Sequence, residues 1–191
     1  RVFDFPDLSG KRVLDVGSGS CDLVMYLNSL GAKAIGVDLR YIDLESLKLQ
    51  TGAIIESWKE QHRGIGSDEY LQAMISSYNN FLGDFAKGKN YVSALAGSLP
   101  FPDEAFDFVY SSNCITHGLD RNYAVFENTV YEALRILKKG SEFQSYPFLG
   151  EMDKKLRENQ RKLVEKLRKE GMKIRTEKAT RFFDRLRIVK P

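Results

Sequence analysis

Cysteine and histidine are both scarce, with two of each, Cys21, Cys114, His62 and His117, among 191 residues. Two cysteines outside any CxxC pair exclude a disulfide framework, and a reduced, cytoplasmic setting is the simpler expectation. Two histidines without metal-ligand spacing argue against a zinc centre, so no metal site is expected. No apolar run approaches the ~20 residues that cross a bilayer, and no signal-peptide pattern opens the chain, so no membrane partner is expected. Internal repeats and low-complexity tracts are absent as well. The chain opens at Arg1 rather than a methionine and reaches a strand-like run by Arg12, which predicts a truncated N-terminus.

What is present is the balance of an ordinary folded domain. Hydrophobic residues make up 42% and charged residues 29%, too apolar for a disordered chain, and 191 residues suffice for one core. The net charge of +3 hides an asymmetry. Residues 151–191 carry 15 Lys+Arg against 7 Asp+Glu, a net of +8, which leaves −5 for the first 150. A basic segment of this kind suits an anionic partner such as RNA. It equally suits a solvated helix face rich in Lys and Arg, and that is the plainer reading.

The order of elements is that of an α/β fold. Arg12–Val16 is a short run rich in branched residues, stopped by Gly17-Ser18-Gly19. Leu23, Val24, Tyr26, Leu27 and Leu30 then give a helical stripe that ends at Gly31, and Ala34–Val37 forms a second strand ending in Asp38. Two strands joined through a helix must be parallel. Residues 43–85 read as helical with breaks at Gly52 and Gly64–Gly66, longer than one crossover needs, so a helical insertion is expected at about 52–89. Further strands are expected at Tyr91–Ala94 and Phe106–Tyr110, the latter after the stiff turn Leu99-Pro100-Phe101-Pro102-Asp103. A helix striped by Val125, Val130, Leu134 and Leu137 runs to Lys138-Lys139-Gly140, and Glu142–Phe148 is a fifth strand. Residues 151–170 form a charged amphipathic helix on Leu156, Leu163 and Leu167, before a hairpin of Met172–Lys178 and Arg185–Val189. The sum is one domain, 1–191, built on a mostly parallel sheet closed by an antiparallel hairpin.

The chemistry gathers where the first strand meets its helix. Gly17 and Gly19 stand where backbone must turn sharply and let a ligand lie against bare amides. A dinucleotide fingerprint would need a glycine at position 22, where Asp22 stands. Asp38, 23 residues beyond Asp15, offers two oxygens to the two hydroxyls of a ribose. Its competing role is to cap the helix that follows.

These segments resemble the class I S-adenosylmethionine-dependent methyltransferases over nearly the whole chain. Val13–Gly19 is similar to the family's first motif, including the acid, Asp15, two residues before the first glycine. Gly36-Val37-Asp38-Leu39 is similar to the second, Leu99–Val109 to the loop into the fourth strand, and Glu132–Gly140 to the helix before the fifth. The resemblance implies a Rossmann-like, mostly parallel seven-stranded sheet flanked by helices, its last strand antiparallel. It implies S-adenosyl-L-methionine as cofactor, with S-adenosyl-L-homocysteine as product. Asp15, Gly17, Ser18, Gly19, Cys21, Asp38 and Leu39 are its expected contacts, with Leu95 and Ala96 beside the adenine and Ser112 and Asn113 beside the methyl group. Two departures stand out: Cys21 replaces a third glycine, and Ala94–Ser98 lacks the acid that commonly binds adenine, leaving backbone at Leu95 or Ala96, or Ser98, to do so.

His117 is a candidate general base for an acceptor that must lose a proton; the competing reading is a histidine hydrogen-bonded within its loop. Cys114 has no visible base beside it and is a poor candidate nucleophile. Trp58, Tyr70, Tyr78, Phe81 and Phe85 of the insertion suit a core by default and a lid over the acceptor as the alternative. Tyr146-Pro147 is expected by topology to face the pocket. The resemblance does not fix a substrate; with the modest overall charge, a small-molecule acceptor is expected. RNA or protein acceptors met through the basic 151–191 segment, and a cofactor-binding partner protein without turnover, are the alternatives.

Overall fold

The computed structural model describes residues 3, 5–20, 23–61, 68–88, 90–115, 122–148, 154–181 and 183–191, without the side chains at 58, 61, 68, 70 and 74. β1 (Arg12–Val16), α1 (Leu23–Ser29) and β2 (Lys33–Val37) form the expected parallel unit, with Val13 opposite Ala34 and Val16 opposite Val37. Gly31 closes the helix at φ +83°, a left-handed turn that glycine takes without a Cβ penalty. α2 (Leu44–Gln61) and α3 (Asp68–Phe85) lead to β3 (Tyr91–Val92), which lies parallel to β2. β4 (Phe106–Ser112) returns to the other side of β1, followed by α4 (Tyr123–Ile136), β5 (Leu137–Phe148), α5 (Lys154–Lys169), β6 (Lys173–Lys178) and β7 (Asp184–Val189). The seven strands run in the order β3-β2-β1-β4-β5-β7-β6, with β7 antiparallel to both neighbours.

Both sheet faces are covered. Phe106, Val109, Phe143, Leu186 and Ile188 pack with Phe126, Val130 and Leu134 of α4 and Leu163 and Leu167 of α5. On the opposite face Val13, Ala34 and Tyr110 meet Val24 and Leu27 of α1, closed over by Phe3 and Leu8. The strand order reverses between β1 and β4, and the carboxyl ends of those strands are where such sheets leave a crevice.

Several boundaries differ from the sequence reading. Gly52 does not break α2, because Leu47, Thr51 and Ile55 are buried along one face and outweigh the ~1 kcal/mol that a helical glycine costs. Leu137 does not continue the α4 stripe: it is extended and begins β5 opposite Phe106. Val125, Tyr26 and Leu30 are over 40% exposed, so each stripe is narrower than its apolar residues suggest. Gly64–Gly66 lies outside the described residues.

Candidate active site

β1 ends in Asp15 and Val16, and the chain then turns through Gly17 at φ +70° and Gly19 at φ +63°. A Cβ built on Gly17 would stand 2.1 Å from the Cβ of Cys114, so β4's continuation packs against a glycine that nothing larger can replace. The turn's amides are not bare, contrary to expectation. Gly17 and Ser18 both donate to the Val37 carbonyl, at 2.8 and 3.0 Å, and Gly19 donates to Asp38 Oδ2 at 3.0 Å. They tie β1's turn to β2. What the turn offers a ligand is therefore close backbone approach and the neighbouring side chains.

Asp38 follows β2 and is mostly buried. Its Oδ1 accepts from the Arg40 amide at 2.9 Å and Arg40 Nε at 3.0 Å, and its Oδ2 from Arg40 Nη2 at 3.1 Å as well as from Gly19. The Arg40 hydrogen bonds and charge, with Gly19, outweigh burial and hold this carboxyl below its ordinary range. Asp15 behaves oppositely. Burial pushes it up to about 7 despite a hydrogen bond from Ser18, and the negative charge of Asp38 adds to the rise. Among the described residues its Oδ1 has no hydrogen-bond partner.

Two cavities meet at Gly17. A slot of about 160 Å³ is lined by Asp38, Leu39, Leu95, Ala96 and Cys114. A larger space of about 410 Å³ is lined by Asp15, the turn from Gly17 to Ser20, Arg40, Ser112 and Asn113. Its far wall is Thr51, Ile54 and Ile55 of α2 with Ser77 and Tyr78 of α3. Asn113 sits at φ +55°, its amide donating to the Tyr146 carbonyl at 2.7 Å, which aims the end of β4 into the space. Ser20 and Thr51 share a 2.6 Å hydroxyl contact that fixes α2 to the turn.

The structure thus gathers Asp15, Gly17, Ser18, Gly19, Asp38, Leu39, Leu95, Ala96, Ser112 and Asn113 around one crevice. Cys21 and His117 lie outside the described residues. Ser98 does not line the slot; its amide donates to the Leu95 carbonyl in a turn. Tyr146 does not face the crevice as expected, because its side chain packs in the Phe3–Leu8 cluster and edge-on to Phe183. Of the insertion's aromatics, Phe81 and Phe85 form a cluster with Tyr41 and Tyr91, as the core default predicts, and Tyr78 packs against that cluster while also lining the larger cavity. The side chains of Trp58 and Tyr70 are outside the described set. Sequence reasoning missed Arg40, although its place two residues after Asp38 was a signal, and missed the α2 wall, which carries none.

Residues 51–144, from within α2 into β5, match the family model described as a methyltransferase domain. That stretch, 94 of the 191 residues, is similar to methyltransferase domains. Solved methyltransferases share the chain's fold at low identity. One from Aquifex aeolicus is 15% identical, with 96% of this chain and 84% of that one covered at a TM-score of 0.57. One from Methanosarcina mazei is 18% identical, with 96% and 94% covered at 0.55. The magnesium protoporphyrin IX methyltransferase of Synechocystis PCC 6803, solved with S-adenosylmethionine bound, is 15% identical, with 97% and 72% covered at 0.56. No curated protein sequence matches the chain. Domains of this kind take S-adenosylmethionine as methyl donor and require a methyl acceptor. Among the described residues no helix is long and apolar enough to cross a membrane, and no group of acidic, histidine and cysteine side chains could hold a metal.

The residues present fit the cofactor. The slot lined by Leu39, Leu95 and Ala96 offers apolar surface to a purine, and Asp38 in the same lining is a carboxylate suited to a vicinal diol. The unpartnered Asp15 oxygen faces the cavity where a cationic amino-acid tail would need an acceptor.

Proposed function

We propose that this protein is an S-adenosylmethionine-dependent methyltransferase acting on a small molecule held in the cavity walled by α2 and α3. The observation that carries the reading is the junction of the slot lined by Leu39, Leu95, Ala96 and Asp38 with the larger, mixed-polarity space, through a single glycine. Leu39, Leu95 and Ala96 hold the adenine, Asp38 the ribose hydroxyls, and Asp15 the ammonium of the amino-acid tail. Gly17 and Gly19 allow that chain of groups to lie against backbone, and Ser18, Ser112 and Asn113 border the sulfur. Cys21, next along the turn, is proposed to lie at the same contact in place of a glycine.

When bound, S-adenosylmethionine supplies a methyl group already activated by its sulfonium. The protein's task is then to align the acceptor with the S–CH3 bond and to exclude water, which side chains of α2 and α3 are placed to do. Ile54 and Ile55 give that wall apolar surface, and Thr51, Ser77 and Tyr78 give it hydroxyls. We read the helical insertion, α3 with the later part of α2, as the acceptor side of the domain. Cys114 is no nucleophile here, since burial together with the charges of Asp38 and Asp15 pushes its thiol up to about 11. That inert, free thiol suits the reducing, cytoplasmic setting we assign. His117 is our candidate for taking a proton from acceptors that must lose one.

Calorimetric titration with S-adenosylhomocysteine tests the site. Binding should be measurable, weakened at least tenfold by Asp38→Ala and abolished by Gly17→Val; near-native affinity in both variants overturns the assignment. A labelled-methyl screen of small-molecule and macromolecular fractions then tests the acceptor. Label entering RNA or protein alone would replace the small-molecule reading, and binding without transfer to any fraction would favour a cofactor-binding partner protein.

A further inference from the structure

Arg40 is the one cation among the described residues lining the two cavities, and it occupies the carboxylate that the ribose needs. With the Arg40 amide, Nε and Nη2 and the Gly19 amide all donating to Asp38, the four lone-pair directions of that carboxylate are filled. A diol can displace none of the backbone donors cheaply, because the Gly19 amide and the Arg40 amide are fixed by the turns that carry them. The guanidinium is the donor that can leave, being about 30% exposed on a flexible stem. Leaving uncompensated is costly, since it strands a charge-assisted fork in a partly desolvated crevice. The same side chain also lines the larger cavity that holds Asp15 and Asn113.

We infer that Arg40 is a specificity-determining residue that exchanges the Asp38 carboxylate for the carboxylate of an incoming amino-acid tail, so that the site selects adenosyl ligands bearing such a tail over tailless adenosines. This rests on the cofactor site proposed above. A ligand with ribose and tail delivers both halves of the exchange: its hydroxyls satisfy Asp38 and its carboxylate satisfies Arg40. A ligand with the ribose alone must expel the guanidinium without offering it an anion. Discrimination then comes from the cost of an unpaired, partly desolvated charge rather than from an extra attractive contact.

The test compares S-adenosylhomocysteine with 5′-methylthioadenosine, which keeps the adenosine and thioether but has no amino-acid tail. Both are titrated calorimetrically into the native protein and into Arg40→Gln, with melting temperatures confirming that the variant is folded. Native protein should prefer S-adenosylhomocysteine strongly. In Arg40→Gln, 5′-methylthioadenosine should bind on the order of tenfold tighter than to native protein, while S-adenosylhomocysteine binds no tighter. Arg40→Lys, which keeps the charge but loses the fork, should fall between and serves in its place if the glutamine variant does not fold. Methylthioadenosine binding that is no tighter in the variant overturns the inference. Equal tightening of both ligands also overturns it, since Arg40 would then be a plain competitor. The parent reading fails separately: S-adenosylhomocysteine that native protein does not bind, or that Asp38→Ala does not weaken, removes the site itself.

Discussion

Asp15 and Asp38 are carboxylates of one crevice driven in opposite directions, one by burial and the other by Arg40. Asp15 titrates near 7 in the fold against about 3.9 in an unfolded chain, so the folded state holds its proton more tightly. Stability therefore falls as pH rises from about 4 to about 7 and is lower by a few kcal/mol beyond that. Asp15→Asn should melt higher than native protein at pH 8, and the two should converge near pH 4 in a thermal scan. The same proton opposes the ligand's ammonium. S-adenosylhomocysteine affinity should rise between pH 6 and 8 in native protein and stay flat in Asp15→Asn, as calorimetry at each pH would show. Gly17 stands at the other extreme of replaceability. Gly17→Ala places a methyl group inside Cys114 at a left-handed φ, and the variant should lose at least tenfold in ligand affinity.

Among the elements, α4 anchors the loop before β4 through its side chains. Arg135, in the last turn of α4, donates to the carbonyls of Phe101 and Leu99, at 2.9 and 3.1 Å, and to Asp103 at 2.7 Å. Its remaining donors grip Glu132, which in turn accepts from the Leu99 amide at 3.0 Å. The two prolines of that loop stiffen it, and Arg135 sets where it lies. Arg135→Ala should cost about 2–3 kcal/mol, read as a lower urea midpoint with an unchanged slope. Two helical glycines permit the reverse change. A Cβ at Gly52 or Gly83 meets nothing within 4 Å, so alanine at either should stabilise by about 0.5–1 kcal/mol and raise the melting temperature.

At the scale of the whole molecule, the basic C-terminal segment is tied into the fold. Lys166 pairs with Glu127 of α4 at 3.0 Å, Lys162 lies 3.9 Å above the Tyr123 ring, and Lys190 donates to the Leu137 carbonyl at 2.7 Å. Leu163 and Leu167 are buried beneath them. A helix docked in this way should give weak RNA binding even at low salt; a steep salt-dependent affinity in fluorescence anisotropy would revive the RNA acceptor.

The sequence by itself determined the strand–helix order, the glycine turn, Asp38 and the closing hairpin, because these depend on local periodicity and on backbone conformations that few residues adopt. It placed all three glycine-turn residues and Asp38 at one crevice, since strand ends in such a sheet converge by topology. Only the tertiary structure decided that the turn's amides are spent on Val37 and Asp38, that Arg40 claims the carboxylate, and that one face of α2 walls the cavity. The first and last of these depend on groups that meet across 19 or more residues, whereas Arg40 meets Asp38 only two residues away; in each case a hydrogen-bond donor leaves no trace in the sequence of the acceptor it will find.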